Sequence, residues 1–86
     1  MITFGNFIDL YDNWNGYIKI NDKDLNKIIK CYVGELVWYK KELNNLYEHL
    51  KSIEVISFGF YDNELCVRVS CSIKDIKGLY KAYKSI

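Results

Sequence analysis

Four side chains in this sequence are of types that bind zinc: Cys31, His49, Cys66 and Cys71. Structural zinc sites usually place two cysteines about two to four residues apart on a tight turn. Cys66 and Cys71 are instead five residues apart on one predicted strand, and side chains at odd spacing point to opposite faces of a sheet. The spacing does not favour zinc, and we predict neither a metal site nor a cofactor.

Patterns for catalysis are equally weak. The single histidine, His49, has no nucleophile and acid placed beside it by the sequence, and it fits the C-terminal end of a helix, where a positively charged side chain is favourable. Asp22 and Asp24 suit helix capping better than acid–base chemistry. The five glycines are isolated, so no phosphate-binding loop is present. We predict that the protein is not an enzyme and has no catalytic residues.

Length and composition indicate one small globular domain, residues 1–86. Half of the residues are hydrophobic and the net charge is +1, so no global electrostatic field favours nucleic acid. The cysteine count is odd and no apolar run approaches the ~18 residues of a membrane span. We therefore expect reduced thiols in a cytoplasmic protein without membrane contact.

The first predicted elements are a short helix and a strand. Phe4, Phe7, Ile8 and Tyr11 recur at helical spacing behind Thr3, a suitable N-cap. An Asn-Gly turn signal then precedes the segment YIKIND, whose alternation of isoleucine with other residues predicts a strand.

A long helix is predicted next, capped by Asn21 or Asp22. Gly34 lies inside it and costs up to ~1 kcal/mol relative to alanine, so we expect a break or bend there. The helix is indicated by apolar residues at alternating steps of four and three, a heptad-type seam: Leu25, Ile29, Tyr32, Leu36, Tyr39, Leu43, Leu46 and Leu50.

The segment VISFGFYDNELCVRV predicts a β-hairpin with a two-residue turn at Asp62-Asn63. This turn places six apolar side chains on one face, because side chains alternate along a strand. The predicted cross-strand pairs are Phe60 with Leu65, Phe58 with Val67, and Ile56 with Val69.

A last helix begins at Ser72, which with Asp75 resembles a capping box. Its basic stripe consists of Lys74, Lys77, Lys81 and Lys84. The predicted fold is a single α+β domain in the order α–β–α–β–β–α, with a three-stranded antiparallel sheet and helices on one face.

The middle helix carries more apolar side chains than its seam needs. Val33, Val37 and Trp38 lie off the seam, so they are buried within the subunit, form a homodimer or contact another protein. We predict that these three residues bind a partner, with Lys74, Lys77, Lys81 and Lys84 steering an acidic or nucleoprotein surface toward them.

Two stretches, VISFGFYDNELCVRV and FIDLYDNWNG, give the chain a resemblance. It resembles the short, mostly uncharacterised proteins carried by phages and mobile elements of low-GC Gram-positive bacteria, a group that includes anti-CRISPR inhibitors. The resemblance implies a non-catalytic inhibitor that binds a Cas nuclease complex in the cytoplasm of the bacterial host. The near-neutral charge departs from the acidic inhibitors that mimic DNA.

Two other functions remain open from the residues alone. The basic stripe also fits a small dimeric regulator that binds nucleic acid through its C-terminal helix. Arg68 is the only arginine, so specific base readout is not favoured. A structural phage component would instead assemble through heterologous contacts.

Overall fold

The computed structural model describes residues 1–11, 13 and 15–76. Within these residues, two α-helices and four strands form the framework, with a π-helical segment at Glu35–Tyr39 and a 3-10 turn at Ile73–Ile76. The elements are, in chain order, α1 (Phe4–Tyr11), β1 (Tyr17–Asn21), β2 (Lys27–Tyr32), α2 (Lys41–Leu50), β3 (Val55–Tyr61) and β4 (Glu64–Val69).

The sheet is mixed and has the order β2-β1-β4-β3. β1 pairs with β2 and β3 pairs with β4 in antiparallel fashion, whereas the central pair β1 and β4 is parallel. The α+β class is confirmed, but the predicted three-stranded antiparallel sheet is wrong, because a fourth strand comes from the segment assigned to the long helix. One face of the sheet packs on the helices through Ile18, Ile20, Leu65, Val67 and Val69, all at most 1% exposed.

The predicted long helix is correct only for its C-terminal part. Leu43, Leu46 and Leu50 are buried on α2, but Lys27–Tyr32 is an edge strand. Over residues 27–32, the four-three spacing of apolar residues fits a helix and a strand equally well. The β-branched pair at 28 and 29 and a tight preceding turn favour the strand.

Asp22 forms that turn instead of capping a helix. Its carboxylate accepts hydrogen bonds from the backbone N–H groups of Asp24 (2.9 Å) and Asn26 (2.8 Å). This Asx-type arrangement reverses the chain between β1 and β2. Leu25 completes the turn with a φ of 66°, a left-handed conformation that few leucines adopt.

The expected break at Gly34 lies instead at Lys40. Gly34 has helical dihedral angles, whereas Lys40 is extended with φ −115° and ψ 111°. The backbone N–H of Lys40 donates to the carbonyl oxygen of Glu35, five residues earlier, at 3.1 Å. A hydrogen bond between residues five positions apart defines a π-helical turn. The extended residue Lys40 separates this turn from α2.

The hairpin follows the prediction at its turn. Asp62 and Asn63 both have positive φ, as a type I′ turn requires, and Phe60 and Phe58 face Leu65 and Val67. The third pair is wrong. Val55 faces Val69 because a bulge at residue 56 shifts the register.

The capping box is confirmed around the 3-10 turn. The backbone N–H of Lys74 donates to Ser72 Oγ at 3.3 Å, and the N–H of Ser72 donates to Asp75 Oδ2 at 3.4 Å. The remainder of the predicted last helix, residues 77–86, lies outside the described residues. Along the part that is described, no helix is both long and apolar enough to cross a membrane.

Candidate protein-binding surfaces

The residues predicted to bind a partner have different environments. Val33 is only 1% exposed and belongs to the core, so its predicted role as a partner contact is wrong for this conformation. Val37 is half-buried against the core, and Trp38 is 65% exposed. Lys74 is exposed. Lys77, Lys81 and Lys84 lie outside the described residues.

The π-helical segment leaves Trp38 pointing outward while the two residues before it, Leu36 and Val37, pack in or against the core. Leu36 is fully buried and fixes one side of the turn in the core. Lys40 Nζ lies 2.8 Å from Glu35 Oε2, and the backbone N–H of Tyr32 donates to Glu35 Oε1 at 3.2 Å. The side-chain hydrogen bond from Lys40 and the bond from Tyr32 lower the pKa of Glu35. Glu35 thus ties the segment to β2 and to Lys40 while it is ionised.

Trp38 and Tyr39 form what we call the Trp38 surface. Tyr39 is 78% exposed, so two adjacent large aromatic side chains extend from one short turn. Single π-helical turns occur frequently at functional sites in proteins. The sequence indicated Trp38 through the excess of apolar residues, but nothing in its spacing predicted a π turn.

A second apolar surface, which we call the β3 surface, was missed by the sequence prediction. Phe58 and Phe60 are 62% and 64% exposed although they share the face of the buried Val67 and Leu65. Their side chains border a groove of about 270 Å³ between β3 and α1. The exposed residues that line this groove, Leu10, Phe58 and Phe60, are the members of the β3 surface.

The helix layer only partly covers this end of the sheet. The ring centroids of Phe7 and Phe58 are 4.8 Å apart, and those of Tyr11 and Phe60 are 6.4 Å apart. α1 therefore contacts the inner side of the two rings and leaves the outer side exposed. The sequence correctly predicted which face of the hairpin carries Phe58 and Phe60. The two side chains are exposed because β3 is an edge strand, and the alternation of residues along a strand does not show its position in the sheet.

The face of the sheet opposite the helices is polar and aromatic. Tyr17 and Tyr32 make an edge-to-face contact with centroids 4.7 Å apart. Lys30 Nζ lies 2.8 Å from Glu64 Oε1 and 5.4 Å from the Tyr17 ring centroid. Arg68 donates through Nε to the carbonyl oxygen of Lys23 at 2.9 Å. Two of the cationic groups on this face are thus engaged within the protein.

The cysteines and the histidine do not come together as a site. Cys31 is buried, and burial raises the pKa of its thiol to about 12. Cys66 and Cys71 are half-buried. Within residues 1–11, 13 and 15–76, no group of three histidine, cysteine or acidic side chains is placed to hold a metal ion.

Comparisons of the chain with protein-family models, curated proteins and solved structures found no match.

Proposed function

We propose that this chain is a non-catalytic protein-binding module whose anchor is Trp38. The observation that supports the proposal is the exposure of Trp38 and Tyr39 on a turn held by the contacts of Glu35. Tryptophan and tyrosine side chains gain free energy when their large apolar surfaces are removed from water, and both are enriched among the residues that dominate the energetics of protein interfaces. A rigid support lowers the entropy lost when such a side chain is buried by a partner.

The expected contribution of Trp38 follows from its exposed area. A tryptophan side chain offers up to ~250 Å², of which about two thirds is exposed here. At roughly 25 cal/mol per Å², complete burial is worth about 4 kcal/mol, and measured interface anchors contribute about 2 kcal/mol or more. Removal of the indole should weaken binding about 30- to 1000-fold.

The partner that we propose is a Cas nuclease complex of a bacterial host, with the chain acting as an anti-CRISPR inhibitor of phage or mobile-element origin. Support comes from the resemblance of the hairpin and of the segment FIDLYDNWNG to that group of proteins. Lys74, together with Lys77, Lys81 and Lys84 of the C-terminal stripe, would steer the module toward an acidic or nucleoprotein surface. Inhibition would result from occlusion or from altered assembly of the complex.

Cleavage assays with purified Cas ribonucleoproteins test this proposal. Wild-type protein should inhibit cleavage of target DNA, and Trp38→Ala should shift the inhibitory concentration at least 30-fold. Leu25→Ala is the matched control, because it also removes an exposed apolar side chain. Equal inhibition by Trp38→Ala and wild type would contradict the role of Trp38, and a lack of inhibition across the panel would contradict the choice of partner.

The second candidate is a small dimeric regulator that binds nucleic acid through the C-terminal basic stripe. Exposure of Lys74, the one stripe lysine in the described part of the chain, is the observation that favours it. It predicts a steep decrease in duplex affinity with salt, removed by the triple variant Lys77→Ala, Lys81→Ala and Lys84→Ala. Absence of measurable binding at low salt would eliminate this candidate.

A further inference from the structure

The two edges of the sheet differ in their protection against pairing with another strand. β2 carries Lys27 and Lys30 and has an irregular register opposite Asn21; charged residues and bulges are common means of protecting an edge. β3 has the sequence VISFGFY, without a charged residue or a proline over seven positions. By this criterion β3 is the unprotected edge.

The start of β3 is nevertheless covered by the N-terminal residues. The backbone N–H of Val55 donates to the carbonyl oxygen of Ile2 at 3.0 Å, and Thr3 bridges Glu54. α1 then turns beneath the sheet. As far as residues 1–11, 13 and 15–76 show, the free part of the edge is therefore residues 57–61.

The backbone polar groups along this free part point outward at alternate residues. In a two-residue hairpin the closing pair, here Tyr61 and Glu64, is hydrogen-bonded, and hydrogen-bonded pairs then recur at every second residue. Gly59 and Ser57 thus bond to β4, whereas the N–H and C=O groups of Phe58 and Phe60 point away from it. Within the described part of the chain, these groups lie on the side of β3 that faces no other strand of the sheet.

We infer that the free edge of β3 pairs with β3 of a second copy of this chain. The two strands run antiparallel about a two-fold axis at Gly59, which joins two four-stranded sheets into one of eight strands. Phe58 then forms a hydrogen-bonded pair with Phe60 of the partner subunit, and Phe60 pairs with Phe58 of the partner subunit. This pairing satisfies all outward backbone groups of both phenylalanines.

Side chains select this register among the symmetric alternatives. A shift of the axis to Phe60 would place Phe58 opposite Asp62 of the partner subunit, and a shift to Phe58 would place Phe60 opposite the bulge. At Gly59 the strands make a non-hydrogen-bonded pair, in which the Cα atoms approach to about 4.5 Å. The lack of a side chain at Gly59 permits this approach, and aromatic cross-strand pairs add stability on the helix-covered face.

The area available is sufficient for a weak but specific dimer. The exposed parts of Leu10, Phe58 and Phe60 amount to roughly 400 Å² per subunit, judged from side-chain areas of about 150–250 Å². The pair would bury about 1,000 Å² with the backbone included, near the lower end for specific interfaces. We expect a dissociation constant on the order of micromolar. The Trp38 surface is not used, so this inference does not depend on the proposed function.

Sedimentation equilibrium of the full chain tests the dimer, and hydrogen exchange tests the strand pairing. Phe58→Lys should raise the dissociation constant about 30-fold or more, since a lysine on an edge disfavours pairing. Tyr32→Lys, which replaces an exposed aromatic on the opposite edge strand β2, should leave the dissociation constant unchanged. Circular dichroism establishes that each variant is folded.

The exchange experiment uses wild-type protein and is independent of any folding defect in the variants. The amides of Phe58 and Phe60 should become protected as concentration rises, while those of Ser57 and Gly59 should be protected at every concentration. A chain that stays monomeric into the millimolar range overturns the inference. A dimer in which the Phe58 and Phe60 amides exchange freely also overturns it.

Discussion

Substitution of Asp22 by asparagine should destabilise the fold strongly. Asp22 is fully buried, and it connects the β1–β2 turn to the 3-10 turn fifty-one residues later. One carboxylate oxygen accepts from the N–H groups of Asp24 and Asn26. The other accepts from the N–H of Ile73 at 2.9 Å and from Asn26 Nδ2 at 3.2 Å.

The magnitude follows from what an amide can replace. An asparagine at position 22 keeps one acceptor oxygen, but its NH₂ group would face two donors, so two hydrogen bonds to a charged acceptor are lost. Hydrogen bonds to charged groups contribute about 1.5–3 kcal/mol each, and a buried donor left without a partner costs about 1–3 kcal/mol. We expect a loss of roughly 3–6 kcal/mol. For a domain of this size that lowers Tm by about 12 °C or more.

The loss of unfolding free energy in Asp22→Asn should be larger at neutral pH than in acid. Burial alone would raise the pKa of Asp22, but the hydrogen bonds from Ile73, Asn26 and Asp24 outweigh it and lower the pKa below its ordinary value of 3.8. The unfolded chain therefore binds a proton more readily than the folded chain. The stabilisation is complete above the unfolded-state pKa and is lost as pH falls through the folded-state pKa.

Urea denaturation at pH 7 and at pH 2.5 measures both effects. The difference in the free energy of unfolding between wild type and Asp22→Asn should be larger at pH 7 than at pH 2.5. Asp24→Asn is the matched control, because Asp24 is exposed and only its backbone N–H takes part in the turn. A change below about 0.5 kcal/mol for Asp22→Asn, typical of a surface substitution, or a gap that does not vary with pH would refute this reasoning.

Two other predictions concern the backbone and the thiols. Leu25→Gly should raise the free energy of unfolding by up to about 1 kcal/mol in urea denaturation, because Leu25 is exposed and its φ of 66° is strained for a residue with a side chain. Leu25→Ala keeps this backbone strain and should not stabilise the protein. Equal effects of the two substitutions would show that the backbone at Leu25 is not strained. Cys31, with a pKa raised by burial to about 12, should react with a disulfide reagent at pH 8 only when the protein unfolds. In the folded state the half-buried Cys66 should react faster than Cys31. Rapid labelling of Cys31 under native conditions would contradict the conclusion that this thiol is buried.

Local features of the fold were predictable from the sequence, whereas strand order was not. The turn at Asp62-Asn63 and the apolar spacing of α2 depend on residues close in the chain, and both were predicted correctly. Assignment of residues 27–32 to a helix failed because a spacing of four and three over so few residues fits either structure. Parallel pairing of β1 with β4 joins distant segments and has no local signal.

The sequence predicted that apolar residues would be exposed but not which of them. An excess of apolar residues indicated that some would be exposed, and Trp38 is. The sequence could not show that Val33 is buried while Phe58 and Phe60 are exposed, since this depends on which strand lies at the edge and how far α1 extends over it.

The most direct test of the account is calorimetric titration of wild type, Trp38→Ala and Leu25→Ala into a purified Cas ribonucleoprotein that the wild type inhibits. We predict that Leu25→Ala binds with the wild-type affinity and that Trp38→Ala binds about 30-fold or more weakly. Equal affinities of folded Trp38→Ala and wild type would contradict the claim that the exposed indole anchors the partner.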